Sequence, residues 1–125
     1  MKIKSFLAKP FANYIYRQIK KDMAAAVSDQ HTLFNQLIKS ASKTEFGKDH
    51  HFSSIKSHED FVKQVPVRDY EALKTYIDKI KEGRHNVLWK GQPIYFAKTS
   101  GTTSGVKYIP ITKDSIHNHI NTARN

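Results

Sequence analysis

Apolar residues return at helical spacing through most of the first 83 positions of the chain and at shorter spacing after them. Ala12, Ile15, Tyr16, Ile19 and Met23 lie three or four residues apart, which puts them on one face of an amphipathic helix from about Pro10 to Val27, with Pro10 in its first turn. Ser28 and Asp29 are expected to end that helix and to cap a second one, whose buried stripe is Leu33, Phe34, Leu37, Ile38 and Ala41. Gly47 closes this region, and the polar stretch GKDHHFSSIKS reads as loop. Ser57 and Asp60 form a capping-box-like pair that opens a short helix carrying Phe61 and Val62, which must stop before Pro66. The clearest helix follows. Asp69 supplies its cap, Tyr70, Leu73, Tyr76, Ile77 and Ile80 form one face, and Gly83 after Lys81 and Glu82 is its stop.

Beyond Gly83 the period shortens. Asn86 to Trp89 is a brief apolar run, Lys90 to Pro93 a turn, and Ile94 to Ala97 a strand; Lys107 to Ile111 is a second strand. Thr112 then caps a helix through Ile116 and Ile120. The pattern predicts an α/β fold in which an N-terminal helical segment, residues 1–83, leads into a strand–loop–strand unit and the start of a helix, residues 84–125. One strand pair is a poor edge for a closed sheet, so the arrangement reads as an incomplete part of a larger domain.

Composition narrows the picture. At 125 residues, 38% hydrophobic and 26% charged, the chain suits one globular domain rather than a disordered segment. Cysteine is absent, which excludes disulfides, thiolate metal sites and a cysteine nucleophile. The net charge of +10 invites a nucleic-acid reading. Lysines and arginines nevertheless fall singly or in pairs from Lys2 to Arg124, mostly on outer helix faces, so neither nucleic acid nor membrane is the expected partner. The basic start resembles a signal peptide, but Lys9 and Pro10 cut its apolar run short, and no later stretch nears the roughly 18 apolar residues of a membrane span; a cytoplasmic location is expected. The seven histidines do not assemble a metal site: His50 and His51 are adjacent on a loop, His117 and His119 point to different helix faces, and all read as polar surface residues. Tyr14, Tyr16, Tyr70 and Tyr76 sit on helical stripes, where packing with a wet hydroxyl is expected. Arg68, Asp69 and Glu71 read as a charged helix N-terminus.

One stretch carries candidate chemistry. YFAKTSGTTSGVKYIP, residues 95–110, sets five small hydroxyl residues and two glycines between the two strands. Glycines let backbone N–H groups converge without Cβ obstruction, hydroxyls add neutral donors, and a lysine adds a mobile positive charge. Those are the components of a phosphate cradle. Only three residues separate Gly101 from Gly105, and Val106 rather than lysine follows Gly105, so the stretch is neither a Walker motif nor a GxGxxG fingerprint. On spacing alone, a phosphate loop and a plain polar hairpin loop both remain open.

Thr99-Ser100-Gly101-Thr102-Thr103 followed by Lys107 resembles the phosphate loop of the adenylate-forming superfamily, with Ser104 where a glycine is usual and Val106 where a proline is usual. SGTTSGVKYIPIT, preceded by TEFGKDHHF, EDFVKQVPVRDYEALKTYIDKI and NVLWKGQPIYFAKT, is similar to the auxin-responsive Gretchen-Hagen family of acyl acid amido synthetases, including its bacterial members. The resemblance runs from about Thr44 to Thr112. It implies that residues 1–125 are the N-terminal part of one larger ATP-binding adenylation domain. It also implies a ligase that uses ATP and Mg²⁺ to join a carboxylic acid to an amino acid acceptor through an acyl-AMP intermediate. Thr99, Ser100, Gly101, Thr102, Thr103, Ser104, Gly105 and Lys107 would bind the phosphates, and the 125 residues alone would be inactive. The alternative is a non-enzymatic, basic helical interaction module whose polar loop only turns the chain.

Overall fold

A computed structural model describes residues 2–100 and 105–124, with side chains at 8–100, 105–117 and 120. The elements in order are α1 (Lys2–Ala41), α2 (Glu45–Asp49), a 3-10 turn (Phe52–Ser54), α3 (His58–Gln64), α4 (Tyr70–Lys81), β1 (Tyr95–Lys98), β2 (Tyr108–Ile111) and α5 (Lys113–Arg124). The described residues are mostly helical with one two-stranded antiparallel sheet, an arrangement consistent with an α/β fragment. By packing, the chain divides into two units, Met1–Gln36 and Leu37–Asn125.

The first unit is helix alone. The two helices expected around Ser28 and Asp29 are one continuous α1, and Pro10 lies inside it rather than in its first turn. From Phe11 to Ala41 no glycine or proline interrupts the helix, and Ser and Asp cost a helix interior only a few tenths of a kcal/mol. The hydroxyls turn inward to the helix's own backbone: Ser28 Oγ donates to the Ala25 carbonyl at 2.8 Å and Thr32 Oγ1 to the Ser28 carbonyl at 2.9 Å. With their side chains satisfied this way, these residues do not cap a break. A single helix gives its own stripe nothing to pack on, so Tyr14, Ile15, Tyr16, Ile19 and Met23 are exposed in this unit.

The second unit has the core: Ile38, Ala41, Phe52, Ile55, Ile77, Ile80, Val87 and Ile111, with Thr44 and His50 buried among them. The stretch expected to be loop after Gly47 is structured, with Gly47 inside α2 rather than at its end. Thr44 explains the turn. Its hydroxyl donates to the Ala41 carbonyl at 2.7 Å and accepts the Gly47 N–H at 3.0 Å, so one buried side chain both ends α1 and caps α2. Phe46 then faces Phe52 and Tyr76 edge-on, with ring centroids 5.9 and 5.3 Å apart.

The remaining caps follow the residue pattern. Asp69 Oδ1 accepts the Ala72 N–H at 2.9 Å, and Gly83 ends α4 at a φ of +90°. Thr112 Oγ1 accepts the Ser115 N–H at 3.2 Å at the start of α5. That helix is tied to the segment before β1 through Asp114, whose Oδ2 accepts the Trp89 indole N–H at 3.1 Å and pairs with Lys90 at 3.0 Å. These two contacts, Lys90 first, hold the Asp114 carboxyl below its ordinary value.

Ser57 and Asp60 form the full capping box of α3. Asp60 Oδ2 accepts the N–H groups of Lys56 and Ser57 at 3.0 and 3.1 Å. The Lys56 bond, then the Ser57 hydroxyl, hold its carboxyl below the ordinary value. A depressed folded pKa gives stability that is complete above the ordinary carboxylate range and disappears as pH falls through the folded value. The stability advantage of the native chain over Asp60→Asn is therefore expected to shrink between about pH 6 and about pH 3. Denaturant unfolding of both proteins across that range checks it, and a constant difference would show that the carboxylate's charge contributes nothing.

Candidate functional site

β1 and β2 pair antiparallel with Tyr95 opposite Ile111, Phe96 opposite Pro110, Ala97 opposite Ile109 and Lys98 opposite Tyr108. The nine residues between Lys98 and Tyr108 exceed the two to five usual for a hairpin connection. The ladder closes at the base of this loop with Thr99 N–H donating to the Lys107 carbonyl at 3.1 Å. Lys98 and Lys107 thus flank the loop at its two ends.

Of the residues expected to bind phosphate, Thr99 is half-buried at the loop base and Ser100 is exposed. Gly101, Thr102, Thr103 and Ser104 lie outside the described residues. Gly105 has a φ of +79°, a left-handed conformation that suits a residue without Cβ. Lys107 is half-buried, with its ammonium 5.8 Å from the centre of the Tyr70 ring.

A basic and aromatic group surrounds this base. Lys81, the last residue of α4, places its ammonium 4.6 Å from the centre of the Tyr108 ring, and Lys98 places its own at 5.4 Å. Phe96 meets the same ring edge-on at 6.2 Å. Lys81 also pairs with Asp78 at 3.3 Å, whereas Lys98 and Lys107 have no carboxylate partner among the described residues. Ammonium groups held near ring faces rather than neutralised by carboxylates keep their positive charge available to an anion. Tyr70 joins this group to α4 by accepting the Tyr108 N–H on its hydroxyl at 2.9 Å.

His50 departs from its expected surface role. It is buried, stacks on Phe46 at 4.0 Å between centroids, donates from Nδ1 to the Phe46 carbonyl at 2.8 Å and accepts from Arg68 at Nε2 at 2.9 Å. The carbonyl can only accept and the guanidinium only donate, which specifies the neutral Nδ1–H tautomer. The i, i+4 spacing of Phe46 and His50 is the signal that would have exposed this pairing once α2 was recognised. Tyr76 behaves as expected of a packed tyrosine with a polar end. Its hydroxyl donates to Asp49 at 2.7 Å, and burial, then that bond, push its pKa up.

A separate open depression of about 340 Å³ is lined by Lys43, Glu45, Lys48, Arg84, His85 and Asn86. Glu45 is engaged by Lys79 and, at 3.2 Å, by Arg84, so this group binds α2 to the end of α4. Among the described residues no three histidines, aspartates or glutamates converge as a metal site, and no helix is long and apolar enough to cross a membrane.

The profile of the GH3 family N-terminal domain matches residues 15–125, and the chain belongs to that family. Two relatives from Arabidopsis thaliana are similar to it. Indole-3-acetic acid-amido synthetase GH3.15 is 41% identical over 64 residues, covering 50% of this chain and 11% of the relative. Indole-3-acetic acid-amido synthetase GH3.4 is 30% identical over 92 residues, covering 72% of this chain and 15% of the relative. The chain therefore spans only a small share of these relatives' length.

Proposed function

We propose that this chain is the N-terminal part of an ATP-dependent ligase that joins a carboxylic acid to an amino acid, and that residues 99–107 hold the phosphates of ATP. Membership of a family whose similar members are amido synthetases carries this reading. The loop supports it: its length exceeds what a turn requires, and two lysines without carboxylate partners among the described residues stand at its ends. In the first half-reaction a carboxylate oxygen attacks the α-phosphorus of ATP and pyrophosphate leaves. In the second, the amine of the acceptor attacks the acyl carbon, AMP leaves, and the amine loses a proton. The contribution of this chain lies in the first half, where donors and cations neutralise the charge that collects on departing pyrophosphate. Mg²⁺ would bridge the phosphates and share in neutralising that charge. The block resemblance favours the bacterial branch of the family within the adenylate-forming superfamily, acting in the cytoplasm.

Carboxylate-dependent exchange of labelled pyrophosphate into ATP tests the reading. A protein carrying this chain at its relatives' full length is expected to catalyse the exchange. The 125 residues alone are expected not to, because one loop cannot position both reactants. If the full-length protein shows no exchange with aliphatic, aromatic or indole carboxylates, the ligase reading is wrong.

A further inference from the structure

We propose that Tyr70 is a positioning residue for Lys107, an inference that rests on the phosphate-binding reading of the loop. The Thr99-to-Lys107 bond makes Lys98 and Tyr108 a non-hydrogen-bonded pair of the ladder, so the Tyr108 N–H points away from β1, toward the outer edge of β2. The next outward position on that edge is Pro110, which has no N–H. The one donor remaining there is taken by the Tyr70 hydroxyl at 2.9 Å.

The consequence falls on a single peptide unit. The carbonyl of Lys107 and the N–H of Tyr108 belong to the same plane. The Thr99 N–H donates to its oxygen, N to O 3.1 Å, and its N–H donates to the Tyr70 hydroxyl, N to O 2.9 Å. The peptide carrying Lys107 is thus secured from both sides, and the Tyr70 ring lies 5.8 Å from the ammonium of the same residue. Tyr70 is itself fixed: it is the first residue of α4, directly after the Asp69 cap, on a helix anchored in the core by Ile77 and Ile80. One half-buried side chain therefore transmits the position of a core helix to both the backbone and the charge of Lys107. Tyr70 meets no substrate in this scheme. It acts through the lysine, whose placement matters most while pyrophosphate departs.

The test uses the full-length protein and measures pyrophosphate exchange separately from amide formation supplied with preformed acyl adenylate. Tyr70→Phe removes the hydroxyl and keeps the ring; Tyr70→Leu removes both. Tyr70→Phe is expected to slow exchange about fivefold, the order of one lost hydrogen bond. Tyr70→Leu should slow it further, and both should leave amide formation within about twofold. Added to Lys107→Ala, Tyr70→Phe should cost less than about a further twofold, because a residue that works through the lysine has nothing left to position. If Lys107→Ala slows exchange but Tyr70→Phe does not, or if their effects multiply, the positioning role is wrong while the phosphate reading stands. Equal losses in both half-reactions would make Tyr70 a general structural residue and overturn the role as well. If neither substitution slows exchange, the phosphate reading fails and the inference falls with it.

Discussion

Replacing Lys107 by alanine in the full-length protein is expected to lower the efficiency of adenylation roughly ten- to a hundredfold. An ammonium that meets a phosphate oxygen makes a charge-assisted contact worth about 1.5 to 3 kcal/mol, and each decade of rate corresponds to about 1.4 kcal/mol. The same substitution removes only an aromatic contact from the protein itself, worth about 0.5 to 1 kcal/mol at such a site, so folding should barely change. Amide formation from preformed acyl adenylate should be affected much less, because pyrophosphate has already left. The two half-reactions measured side by side decide the matter. Equal losses in both would assign Lys107 to the fold or to the acyl site, and no loss in either would leave it a solvated lysine.

The largest effect on stability is expected at Gly47. A Cβ there would overlap the carbonyl oxygen of Ala41 and lie 2.9 Å from its carbonyl carbon and 3.1 Å from Thr44 Oγ1. All these atoms belong to the junction of α1 and α2, where the Ala41 oxygen already accepts from the Thr44 N–H at 2.9 Å and from its hydroxyl at 2.7 Å. A methyl group must therefore push backbone from backbone and break bonds made by a buried threonine. Overpacking of this kind costs about 1 to 3 kcal/mol, and buried groups left without partners cost about as much again. Taking about 3 kcal/mol and about 4 to 8 °C per kcal/mol for a unit of this size, Gly47→Ala should melt the second unit roughly 12 to 24 °C lower. Gly91 is the control. It has a φ of +75° but nothing within 4 Å of a Cβ, so Gly91→Ala carries backbone strain alone, about 1 kcal/mol. Thermal unfolding of both variants tests the contrast, and a shift below about 3 °C for Gly47→Ala would contradict the crowding.

What could be read along the chain and what could not divide along physical lines. Local signals were legible: the Ser57–Asp60 box, the Asp69 cap, the Gly83 stop, the Thr112 cap and both strands, because each depends on residues within one turn or one pairing. Ser28 is ambiguous in the sequence, since the same hydroxyl that caps a helix can bond backward within one, and only the surrounding helix propensity decides between these outcomes. Gly47 suggested a break and instead allows two helices to approach, a role set by a neighbour's position rather than by its own conformational freedom. The burial of His50 is not legible in the sequence, because its partners, Phe46 and Arg68, come together only when α2 forms. At the candidate site, the hydroxyl-rich composition and Lys107 could be read directly. The contributions of Tyr70, Lys81 and Lys98 could not, since Tyr70 and Tyr108 are 38 positions apart and no periodicity links them.

The chain contains a single tryptophan, and its indole N–H is bonded to the first turn of α5 through Asp114. Its emission therefore originates in the unit that also carries the strand pair, with no contribution from the long helix of the first unit. A carboxylate beside an indole ring alters the ring's local field, so separation of α5 from the segment before β1 would change the colour of that emission as well as its intensity. Trp89 is in this sense an optical gauge native to the protein. It distinguishes melting of the second unit from fraying of α1, a distinction that a helical signal averaged over the whole chain would blur.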